Sequence, residues 1–142
     1  MHSDRLFRMP SLHLADAQVA GGGRAYAYEL TWPAPGMDGV FGACHGLDVP
    51  LVLGELDSAR WAALLGADPP AAAEALSADF RTAWASFAAT GDPGWPAYDP
   101  EHRTVRIFDV VPRVGPYPEE ASRAIWPVHA FAALPLIPRF PA

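Results

Sequence analysis

Residues 80–109 read FRTAWASFAATGDPGWPAYDPEHRTVRIFD. The run joins the end of a helix, a proline-rich turn and a strand, and it sets the layout of everything before it. Extended back to Pro70, it gives the strongest helical pattern in the chain. Leu76, Phe80, Trp84 and Phe87 with Ala88 recur at i, i+4, i+8 and i+11/12, so the spacing predicts one apolar face over 70–90. Pro70 suits the first turn, Gly91 the position just past the last turn, and Pro93 the stop beyond it. WPAYDP at 95–100 reads as a loop. TVRIFDV at 104–110 then alternates β-branched and polar residues, as a strand does.

Working outward, residues 42–54 read GACHGLDVPLVLG. His45 stands beside the only cysteine, Cys44, and three residues before Asp48, in a run punctuated by Gly42, Gly46 and Gly54. The DVPLVLGEL part predicts one or two helical turns. Upstream, RAYAYELTW at 24–32 alternates aromatics with small or polar residues and stops at Pro33, a strand followed by the turn-rich PAPGMDG. The first twenty residues suggest a helix with Ser3 as N-cap and Gly21 to Gly23 as its end. Pro10 should move its start to about residue 9 or kink it there. PEEASRAIWPVHAF at 118–131 suits a short C-terminal helix. No repeat or shift in composition divides the chain, so residues 1–142 are expected to form a single unit. The fold class expected is α/β, with about two strands, three to four helices and an incomplete sheet, because two strands alone are marginal in water.

Composition narrows the function classes. A chain of 142 residues, 51% hydrophobic and 18% charged, is globular and long enough to bury about 70% of its unfolded surface. Its net charge is −6, and its ten basic residues, all arginine, are scattered singly. No stripe of positive charge exists for a phosphate backbone, so no nucleic-acid partner is expected. The longest apolar run, AFAALPLIP at 130–138, is too short and proline-broken to span a bilayer, and no membrane partner is expected. The opening MHSDRLFRMP lacks a continuous apolar segment of the secretory kind, which favours a cytoplasmic location. There is no G-x-G-x-x-G and no lysine for a phosphate loop, and no cofactor is expected.

For His45 the residues leave three readings open: a catalytic base, a metal ligand with Cys44, or a filler in a glycine-rich turn. Side chains of adjacent residues rarely converge on one ion, so no metal is expected. Asp48 could hydrogen-bond the imidazole or cap the short helix. Ser11, Ser77 and Ser86 fall inside helical patterns, and none lies in the G-x-S-x-G elbow that exposes a nucleophile. His2, His13, His102 and His129 carry no pattern that assigns them a role.

Taken together, GACHGLDVPLVLG, the W-x-x-F-A-x-x-G-D-P pattern of Trp84, Phe87, Ala88, Gly91, Asp92 and Pro93, and the W-P-x-Y of Trp95 to Tyr98 resemble the C-terminal part of the type B carboxylesterases. These belong to the para-nitrobenzyl esterase and cholinesterase-like branch of the α/β-hydrolases. DRLFRMPSLHLADA and AYAYELTW also resemble the helix and strand that precede the histidine loop there. The resemblance implies that His45 is the triad histidine of a serine ester hydrolase and that Asp48 supports its loop, at a position more often glutamate in relatives. It implies that Leu51 and Leu53 replace phenylalanines and open the pocket wall. Triad order in these enzymes is serine, acid, histidine. Asp4, Asp16, Glu29 and Asp38 precede His45, but none lies in a motif matching the acid. The resemblance therefore implies that the nucleophile, the acid and the oxyanion hole lie outside this chain. A small-molecule ester would then be a substrate only together with the missing part, and the chain alone is expected to be inactive. The alternative is a non-enzymatic truncated module that folds by oligomerisation. Either way the strand at 24–32 would offer an open edge, and a homo-oligomer is expected of the isolated chain.

Overall fold

The computed structural model describes residues 3–126. The expectations for His2, for His129 and for the helix beyond residue 126 lie outside the described residues. A π-helical turn, Asp4–Arg8, runs into α1 (Met9–Ala20). Strand β1 (Tyr28–Leu30) follows, then a 3-10 turn (Gly36–Gly39), α2 (Asp48–Leu53), α3 (Ala62–Leu65) and α4 (Ala71–Thr90). Strands β2 (Thr104–Phe108) and β3 (Arg113–Pro116) and a short α5 (Glu120–Arg123) complete the described chain. The sheet order is β1-β2-β3; β1 is parallel to β2, with Tyr28 opposite Arg106, and β3 is antiparallel to β2.

Alternation along two strands builds the layers. On β2, Val105 and Ile107 are buried with Met9 and Leu12 of α1, while Phe108 is buried on the other face with Leu76 and Phe80 of α4. On and before β1, Tyr26, Tyr28 and Leu30 pack toward α4, and Ala25 and Ala27 pack toward α1. Phe80 stacks on Phe108 with centroids 3.9 Å apart, and Tyr28 sets its ring edge-on to Phe80, Trp84 and Phe108 at 5.2–5.8 Å. Four aromatic rings thus meet in one block of the core.

The helix predicted over 70–90 is present, with Gly91 in the left-handed region at φ 74° and its N–H bonded to Phe87 O at 2.8 Å. Its expected face holds at Leu76 and Phe80, with Trp84 packed on the same core, and fails at its C-terminal end. Ala73, Leu76, Ser77, Phe80 and Ala83 are buried, whereas Phe87 is 51% exposed. Among the small residues, Ser77 meets α2: its Oγ donates to Leu51 O at 2.8 Å. The strand expected over 24–32 is shorter, since β2 offers a ladder only opposite 28–30. Ala25 O and Ala27 O nevertheless accept from Tyr98 N and Arg106 N.

One further expectation, the Ser3 cap, is corrected, and the one for Pro10 is met, since α1 starts at Met9. Ser3 is already helical and makes no capping bond. The helix continues through Pro10 by widening ahead of it. Pro10 has no N–H for the carbonyl four residues back, and Met9 N–H bonds to Asp4 O five residues back instead. Strand β3 escaped the sequence reading because its exposed residues and its Pro116 show no alternation, as befits an edge.

Glu120 at the start of α5 accepts from Arg103 and Arg123 at 2.6–3.2 Å, and these bonds hold its carboxyl down at about 2. A depressed carboxyl contributes stability above its unfolded value, near 4.5, that is lost as pH falls toward 2. Acid titration of the urea midpoint between pH 5 and pH 2 is expected to be shallower in Glu120→Gln. The difference is under about 1 kcal/mol because the pair is exposed. Phe80→Ala is expected to cost about 3–5 kcal/mol in urea denaturation, because it empties the centre of the aromatic block.

Candidate active site

The loop between the 3-10 turn and α2 is shaped by glycines on either side of His45. Gly42 (φ 57°) and Gly46 (φ 81°) occupy the left-handed region that a side chain disfavours. Ala34 N donates to Gly42 O at 2.9 Å, Leu47 N to Cys44 O and Val49 N to Gly46 O. Leu47, Pro50 and Leu51 are buried, and half-buried Cys44 packs on the same core. The loop is thus pinned from below while His45 projects outward, exposed. Among the described residues no group of three or more His, Cys, Asp or Glu could hold a metal.

Asp48 is half-buried at the first residue of α2. Its Oδ2 accepts from Tyr28 Oη at 2.8 Å. The helix cap is Leu47, without a side-chain bond, so the carboxylate is committed to the strand and not to capping. Burial, and then the Asp48 carboxylate, push the Tyr28 phenol well above its usual range, which keeps it a donor. Tyr28 is the supporting residue that sequence reading passed over.

On the opposite face of β1, half-buried Glu29 meets Arg8 from the π-helical turn, Nη2 to Oε1 at 3.1 Å. Burial raises the Glu29 carboxyl, and Arg8 partly offsets this. Phe7, beside Arg8, lies flat on the His45 ring, with centroids 4.3 Å apart and planes 15° from parallel. These residues, with Tyr117, line an open pocket of about 430 Å³. The described residues place no acid on the imidazole: Asp4 pairs with Arg8, Asp16 accepts from Tyr98, and Glu29 is held by Arg8. Asp38 sits in the strained 3-10 turn at φ 56°. Leu51 is fully buried and Leu53 is 59% exposed, and neither lines this pocket. Ser77 and Ser86 donate their hydroxyls to backbone carbonyls outside α4, Leu51 O and Asp92 O.

A loop-borne histidine after a parallel strand, with helices on both faces of the sheet, is the arrangement of α/β enzymes. Residues 1–126 match the model of the carboxylesterase family. The chain belongs to that family, in its type B branch, and its layers are part of an α/β-hydrolase fold. It is 32% identical over 128 residues to the para-nitrobenzyl esterase of Bacillus subtilis, covering 87% of this chain and 25% of that one. It is 33% identical over 106 residues to a protein of Rhodococcus erythropolis named as a probable N-octanoylanthranilate hydrolase, AqdA2, covering 72% of this chain and 23% of the relative. The crystal structure of the Geobacillus stearothermophilus carboxylesterase EST55 superposes with a TM-score of 0.74 at 31% identity, over 88% of this chain and 26% of that one. The chain therefore spans about a quarter of the length of the relatives it matches.

Removing the phenol hydroxyl in Tyr28→Phe leaves the Asp48 carboxylate without its donor. The expected loss is about 1–3 kcal/mol in urea denaturation, with the aromatic packing retained.

Proposed function

We propose that this chain supplies the general base of a serine ester hydrolase, His45, with Asp48 as the support of its loop. The observation that carries the reading is the exposed imidazole held out over a pocket, on a glycine-flanked loop whose helix is tied to β1 through Asp48 and Tyr28. In the reaction, the histidine takes the proton of a serine hydroxyl as the oxygen bonds to the ester carbonyl carbon. It then returns that proton to the departing alcohol, and water releases the acyl group by the same steps. The serine, the triad acid and the oxyanion donors come from the part of the enzyme that this chain does not cover. Asp48 is engaged by Tyr28 and is not the triad acid. By itself the chain is not a hydrolase, and its substrate class with the remainder is small carboxylic esters.

The test combines the chain with the part of the Bacillus subtilis para-nitrobenzyl esterase that it does not cover. Hydrolysis of a p-nitrophenyl ester that appears only on mixing, and falls at least about a thousandfold with His45→Gln, is the expected result. Equal hydrolysis by the chain alone and by the mixture, or by the wild type and His45→Gln, would count against it.

A second reading rests on the sheet. Among the described residues β1 has a strand on one edge only, β2. Its other edge would accept a strand of the enzyme's remainder, or a second copy of this chain in a non-enzymatic homo-oligomer. Light scattering separates the two: a monodisperse monomer removes the homo-oligomer.

A further inference from the structure

Resting on the reading of His45 as the base, we propose that Phe7 is a positioning residue that fixes the plane of the His45 imidazole by stacking on its face and leaves both ring nitrogens free at the edges.

A triad histidine works through its two edges, one nitrogen toward an acid and the other toward the serine. Any hydrogen bond that anchored the ring would occupy an edge it needs. Contact through the face leaves both edges open, and the Phe7 ring makes this kind of contact, 4.3 Å between centroids and 15° from parallel. The ring otherwise has little to hold it. His45 is exposed, and among the described residues its nitrogens make no hydrogen bond. An exposed imidazole with two free torsions samples several staggered wells, and the stack selects among them.

Phe7 can do this because its own position is fixed. It sits in the widened turn ahead of Pro10, and the next residue, Arg8, is bonded to Glu29 at 3.1 Å and paired with Asp4 at 3.5 Å. Phe7 is 44% exposed, and the stacked His45 ring covers part of its face. Neighbouring residues of β1 thus serve the histidine from both faces of the sheet. Tyr28 holds the helix after it through Asp48, and Glu29 holds the turn that stacks on it through Arg8.

The test has two arms. In the full chain, the carbon-bound ring protons of His45 are followed by NMR in the wild type, Phe7→Leu and Phe7→Tyr. The expected result is an upfield ring-current shift in the wild type that Phe7→Leu abolishes and Phe7→Tyr restores, at an unchanged melting temperature. An unshifted wild-type ring, or a shift that survives Phe7→Leu, would overturn the proposal. If Phe7→Leu melts early, the rescue by Phe7→Tyr and the wild-type shift itself still decide it. In the reconstituted mixture, Phe7→Leu is expected to lower kcat about tenfold with KM within about twofold, and Phe7→Tyr to recover it. An unchanged kcat in Phe7→Leu overturns the catalytic part. A mixture with no His45-dependent hydrolysis means that the reading of His45 has failed; the stack is then judged by the NMR arm alone.

Discussion

The hydroxyl of Tyr28 donating to Asp48 is the bond on which the arrangement around His45 turns. Its ring is fixed among Phe80, Trp84 and Phe108. Its oxygen reaches the first residue of α2, three positions after the histidine. A strand residue packed against the core therefore sets the place of a loop residue at the surface. The bond is strong because its acceptor is a carboxylate and because the phenol, pushed up by burial, stays protonated.

Alternation gives that strand a second use. Tyr28 and Glu29 point to opposite faces because successive side chains on a strand must. The face carrying Glu29 would be a poor place for a carboxylate without Arg8, since burial raises the free energy of its charged form. The pair fixes the N-terminal turn against the sheet, and the turn brings Phe7 over the imidazole. The histidine loop is bounded by two polar contacts that begin on one short strand and by one aromatic contact from the N-terminal turn.

Much of the fold was legible in local pattern. The helix over 70–90 followed from its spacing and its Gly91 stop, the short helix at α2 from its apolar run, and β2 from its alternation. The buried face of α4 was misjudged at its end. Large apolar residues were taken as core, whereas the small Ala73, Ser77 and Ala83 are buried as well, Ser77 against α2, and Phe87 is half exposed. Strand β3 gave no signal because an exposed edge imposes no alternation. His45 and Asp48 stood out in the sequence by their glycine setting and family-like motif. Tyr28 did not, because an aromatic in a strand reads as packing whether or not its hydroxyl has a partner. Glu29 did carry a signal: a charge in a strand with helices packed on both faces calls for a counter-charge, and Arg8 provides it.

By itself the sequence determined the order of elements, the glycine-flanked histidine loop and the membership in the type B carboxylesterases, because these depend on neighbours within a few residues. Only the tertiary structure decided what holds the histidine. The pairs Tyr28 with Asp48, Arg8 with Glu29 and Phe7 with His45 each join residues about twenty or more positions apart. The parallel alignment of β1 with β2, and the packing of α1 and α4 on its two sides, bring them together. No local propensity encodes such a meeting, since it exists only once the layers have closed.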